Sequence, residues 1–294
     1  MRYSDYQQSA ASVGDASTAR LALGVVAALT LFGGWLAFIG VCVASLSGME
    51  MLSAMEVTRS VSTQTAAGAL VVLLLVGGLG FGTFVAARFV HGLKVHHWMG
   101  RRTDVVRGLA LAAISAAFLG VLPLIYQVQG NVADQQYAFV GWLFLLPFGL
   151  GAVAIQTGAE EVFFRGYLQN RLAARFRSPV IWLFVPSIAF GFAHFAPGLP
   201  GLNSWLYVAF AAFFGVLAGD LTARTGSLGA AWGWHFANNS FAVLIVATEG
   251  SVTGLGLWRA EGGLTEPIPL SPWLLIDLVI VLGIWLVLRR VLRV

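Results

Sequence analysis

The sequence predicts an all-α, polytopic membrane protein with about eight transmembrane helices. Three observations lead there. Of 294 residues, 58% are hydrophobic and only 10% charged, whereas a soluble domain carries about 25% charged residues. Apolar runs near the ~20 residues needed to cross a ~30 Å hydrocarbon core recur along the chain. The basic residues are segregated between alternate loops, the pattern that orients helices in a bilayer.

The runs fall at 21–46, 66–90, 105–127, 137–159, 179–196, 201–219, 228–248 and 271–290. Residues 1–19 are polar and lack a charged segment leading to a cleavage site, so they do not read as a cleaved signal. The fifth and sixth runs are short and meet at Ala196-Pro197-Gly198-Leu199-Pro200-Gly201, which argues for tilted or interrupted helices. The Gly-rich stretch 249–270 reads as the longest irregular outer loop. With no Ser- or Pro-rich linker and no repeat, residues 1–294 read as a single integral membrane domain.

With the N-terminus inside, 15 of the 17 Lys and Arg fall on inner segments, leaving Arg59 and Arg259 outside. Both termini are therefore expected in the cytosol, with the protein in the inner or plasma membrane. This segregation accounts for the pI near 9.6, so the expected partner is the lipid bilayer and not nucleic acid. The lone Cys42 excludes an intrachain disulfide or a Cys-rich metal site.

Chemistry concentrates at Glu160-Glu161-Val162-Phe163-Phe164-Arg165, after an uncharged run from Tyr137 to Thr157. An ionisable group near the centre of a membrane helix costs about 2.5–3.5 kcal/mol, so such groups work or pair. Glu161 and Arg165 stand four apart with the acid first, the favourable order for a helical ion pair, and read as structural support. Glu160 points about 100° away and has no partner within the motif. The cluster is expected at the cytosolic end of the fourth span.

Three histidines, His91, His96 and His97, lie in a basic loop, whereas His194 and His235 lie in apolar runs. His235 and Asn239 are four apart on one helical face and can aim N–H donors at a single point, as an oxyanion requires. Asn238 lies about 100° off that face. A glutamate with a nearby histidine can hold a water and take its proton. Together these groups make a minimum set for hydrolysing an amide.

At this point the residues resemble the CPBP intramembrane proteases, the CAAX protease and bacteriocin-processing family that includes Rce1-type endopeptidases. Glu160-Glu161-x-x-x-Arg165 is similar to the first motif, Phe190-x-x-x-His194 to the second, and His235-x-x-x-Asn239 to the last. Arg224-Thr225-Gly226-Ser227-Leu228 resembles the lead-in to that last motif. The resemblance covers about residues 137–248, which then form the catalytic core. It implies a helical fold around a catalytic cavity facing the cytosol, with Glu160 and His194 activating water and His235 and Asn239 forming the oxyanion site. It further implies a membrane-associated peptide or protein substrate, including lipidated CAAX types. Where many members carry proline four residues before the last histidine, this chain has Ala231.

Two rival readings stand beside this one. A zinc site of Glu160, His194 and His235 would have the His2Glu composition, but no His-Glu-x-x-His occurs, and the only spare base, Glu161, is matched to Arg165. The expectation is therefore no metal and no cofactor, with zinc as the alternative. A non-enzymatic scaffold or immunity protein is the second rival. Serine and aspartyl intramembrane proteases fit less well, since Gly226-Ser227-Leu228-Gly229 is not Gly-x-Ser-x-Gly and Ala218-Gly219-Asp220 is only half of Gly-x-Gly-Asp.

Overall fold

Why these apolar runs coil is a matter of solvent: in hydrocarbon every backbone N–H and C=O must be satisfied internally, and a helix does this within one segment. A computed structural model describes residues 1–14, 16–47, 61–111, 114, 115, 118, 133–260, 263–267 and 272–294. A short helix α1 (Tyr3–Ala11) precedes the long apolar helices α2 (Thr18–Ser47) and α3 (Ala66–Phe89). Helix α4 covers Arg102–Ala110 and strand β1 Ala133–Gln135. Helix α5 (Phe139–Glu161) runs without a break through a π-helical segment, Val162–Gln169, into α6 (Asn170–Arg175). Then come α7 (Pro179–Ala193), α8 (Asn203–Thr225) and α9 (Gly229–Ser240), the last continuing into a π turn, Phe241–Ile245. Strands β2 (Val246–Thr248) and β3 (Trp258–Ala260) and helix α10 (Pro272–Leu292) complete the order.

The fold is mainly helical, and four helices among the described residues are long and apolar enough to cross a membrane: Thr18–Leu46, Ala66–Phe89, Phe139–Arg175 and Asn203–Thr225. The seventh run is shorter than expected, because α9 gives way to β2 before a full span is reached. The fifth forms only the 15-residue α7, which begins at Pro179, where a missing N–H costs nothing. Most of the third run, 105–127, lies outside the described residues beyond α4, as do Arg59 and Glu261.

Two expectations are corrected. The fourth run does not end at Thr157 or Glu160. It belongs to a 37-residue helix, Phe139–Arg175, so the carboxylates sit in a helix interior and not at its end. Nothing from Glu160 to Arg175 is a proline, and Gly166 is the sole glycine there, so no breaker stops it. The stretch 249–270 is not wholly irregular, since β3 pairs antiparallel with β1 and parallel with β2.

This small sheet closes one end of the molecule. Trp142 near the start of α5 donates its indole N–H to the carbonyls of Leu244 and Leu255 there. At the other end Asp220, near the end of α8, gathers partners from both ends of the chain. It accepts from the Tyr3 hydroxyl, from Arg224 Nε at 2.7 Å and from Trp285 Nε1 at 2.9 Å, with Arg289 Nε at 4.0 Å. Helix α1 and the last turns of α10 thus share one face with Arg171, which donates to the Val13 carbonyl. Between the ends, apolar side chains point outward: Phe144 and Phe148 are 75% and 66% exposed. Such exposure is unfavourable in water and natural against lipid chains.

Candidate active site

Two helices carry most of the polar groups, and each changes its winding just after them. Glu160 and Glu161 end the α-helical part of α5, before the π segment Val162–Gln169. His235 and Asn239 lie in the last turns of α9, before the π turn Phe241–Ile245. Wider π turns are frequent at functional sites, because they shift side chains relative to the α-helical register. The two helices approach closely at Gly158, where an added Cβ would lie 2.7 Å from the Trp232 ring. The turn that aims α9 needs Gly226, which holds φ +67° at the end of α8. There the Leu228 N–H bonds to the Met99 carbonyl.

Glu161 and Arg165 form the expected pair, with Nη1 donating to Oε1 at 2.8 Å and both side chains almost fully buried. Arg165 also lies 4.1 Å from the centre of the Phe190 ring, a stacking worth about 2 kcal/mol when desolvated. The same Glu161 oxygen is 2.8 Å from His235 Nδ1. Spacing alone assigned Glu161 entirely to Arg165, whereas the structure divides it between arginine and histidine.

Glu160 is different. Its Oε2 is buried without a hydrogen bond and stands 3.6 Å from His235 Nε2. The His235 ring is thus flanked by both carboxylates and held edge-on between Phe190 and Phe214. His194 follows the last turn of α7, with Nδ1 2.8 Å from the Phe190 carbonyl. A carbonyl can only accept, so Nδ1 carries the proton and the neutral ring offers Nε2 as an acceptor. The ring meets Tyr207 edge-on at 5.5 Å.

Asn239 does not reach the same point as His235 through all its donors. Its Nδ2 donates to Gln156 Oε1 at 3.0 Å, and its Oδ1 accepts from Asn238 Nδ2 at 3.3 Å. Gln156 and Tyr207 were missed from the sequence. For Gln156 a signal existed, since it lies four residues before Glu160 in an apolar run and hence on the same face. Tyr207 carried none, because its neighbour His194 comes from another helix.

Among the described residues no three His, Cys, Asp or Glu side chains converge in a way that could hold a metal ion. Of the zinc alternative's three residues, Glu160, His194 and His235, the last has its Nδ1 2.8 Å from Glu161 Oε1.

Residues 141–241 match the family model described as "Type II CAAX prenyl endopeptidase Rce1-like". This region is similar to that family. The match contains Glu160, Glu161, Arg165, His194, His235 and Asn239. The apolar helices, together with this likeness, point to an integral membrane protein. The chain is also 32% identical over 152 residues to the uncharacterized protein YyaK of Bacillus subtilis (strain 168), covering 48% of this chain and 50% of that relative. The chain thus spans about half the length of the curated relative it matches. No solved structure matches.

Proposed function

We propose that the protein is an intramembrane endopeptidase of the CAAX-protease type, cleaving a membrane-associated peptide with a water activated by Glu160. The observation that carries this reading is the buried, unbonded Oε2 of Glu160 beside His235, next to a sister carboxylate already matched by Arg165. One carboxylate is left able to bind water and accept a proton, which is worth roughly 10²–10⁴ in rate. His194 supports the same water through its free Nε2.

In the proposed step Glu160 takes a proton from water as the oxygen attacks the peptide carbonyl. A C–O bond forms and the carbonyl becomes an oxyanion. Asn239 donates to it, and so does His235 Nε2 in the ring form that carries a proton on both nitrogens. The C–N bond then breaks, and the amine leaves with the proton held by Glu160. The proposed step uses these side chains and water. The family match supports the peptide substrate class, with lipidated cysteine near a C-terminus as its CAAX form. The basic face bearing α1, Arg171, Arg224 and Arg289 supports a cytosolic position for both ends of the chain, and we assign the catalytic cavity to that side.

The test compares peptides from membranes carrying wild type or Glu160→Gln at equal expression. Products are expected only with wild type. Identical peptide profiles, or full rescue of a deletion phenotype by Glu160→Gln, would instead favour a scaffold role.

A further inference from the structure

Helices α5 and α9 face each other with two polar side chains each at a spacing of four. On α5 these are Gln156 and Glu160, and on α9 they are His235 and Asn239. They meet as two rungs: Glu160 with His235 at 3.6 Å, and Gln156 with Asn239 at 3.0 Å. Gln156 is only 6% exposed, so its carboxamide oxygen is committed to this contact and not to solvent.

We propose that Gln156 is a positioning residue that fixes which way the Asn239 carboxamide faces. This rests on the endopeptidase reading above. An asparagine side chain has two nearly equivalent settings about its terminal torsion, related by exchange of oxygen and nitrogen. Gln156 Oε1 accepts one Asn239 N–H, and Asn238 occupies Asn239 Oδ1. The remaining N–H is then the group left to face the reacting carbonyl. With the Gln156 acceptor removed, the reversed setting becomes accessible. It would turn a carbonyl oxygen toward the developing oxyanion, where it repels instead of donating.

The test uses Gln156→Met, which keeps length and volume but removes the acceptor, and Gln156→Glu, which keeps an acceptor at the same reach. Purified protein in lipid nanodiscs is assayed on a quenched peptide copied from a cut that appears with wild type and vanishes with Glu160→Gln. Gln156→Met is expected to lower kcat about 10- to 100-fold, less than the ~100–1,000-fold typical of losing a whole oxyanion donor, with KM within about twofold. Gln156→Glu should recover most of kcat. In an Asn239→Ala background, Gln156→Met should cost nothing further, because its effect passes through Asn239. A normal kcat in Gln156→Met overturns the proposal while leaving the endopeptidase reading intact. Independent, additive losses in the double variant, or a rise in KM alone, overturn it too. If no cut depends on Glu160, the endopeptidase reading fails, and this proposal with it.

Discussion

Adjacent glutamates of identical chemistry have different surroundings here, and their substitutions should separate accordingly. Glu161 is fully buried against Arg165 and His235. Breaking a buried ion pair from one side leaves the other charge uncompensated, at about 3–5 kcal/mol. Glu161→Gln should therefore lower the thermal unfolding midpoint and expression, and it should also lower activity by releasing His235. Among the described residues, Glu160 forms no ion pair apart from the longer 3.6 Å approach to His235 Nε2. Glu160→Gln should abolish cleavage while leaving the midpoint near that of wild type. Parallel unfolding scans and peptide assays on both variants check this, and equal loss of stability in the two would contradict the division of roles.

The α5–α9 contact is the element on which the site depends. Close approach at Gly158 leaves no room for a methyl group beside Trp232. Gly158→Ala should push the helices apart, at roughly 1–3 kcal/mol of overpacking, and should lengthen both rungs. Activity is expected to fall more than stability, because positioning within about 1 Å governs rate. Trp232→Phe should restore part of the loss by removing the ring atoms that the new methyl meets. Absence of rescue in the double variant, measured by initial rates, would indicate that crowding at Trp232 is not the cause. The continuous helix Phe139–Arg175 serves the same contact from the other side. It holds Gln156, Glu160, Glu161 and Arg165 on one rod, so their relative heights are set by covalent geometry.

Across the whole molecule, Asp220 joins α1, α8 and α10 at the basic end. Asp220→Asn should weaken the charged contacts and speed hydrogen exchange in residues 3–11 and 285–292. Exchange in α9 should change less, because most of its contacts with other helices run to α4 and α5 and fewer to α8. Fast exchange confined to α9 would point to a different organisation. Protease added to sealed vesicles should cut tags at the two chain ends from the same side, the cytosolic one. Cutting from opposite sides would overturn the proposed orientation.

Sequence alone determined the membrane class, the helical character and the identity of the charged groups, because each follows from local composition. Twenty apolar residues must coil in hydrocarbon whatever their neighbours are, and a spacing of four makes Glu161–Arg165 or His235–Asn239 share a face in any helix. Tertiary structure decided where the helices stop and which face meets which. The helix running past Glu161 is stabilised by burial of Phe163, Phe164 and Tyr167 against other helices, which no local signal reports. The truncation of the seventh run depends on β2 pairing with a strand 12 positions later. The bond from His235 to Glu161, the edge contact of Tyr207 with His194 and the bond from Asn239 to Gln156 all join residues from different helices. Such contacts arise only when helices pack, so the residues could be read from the sequence while their partnerships could not.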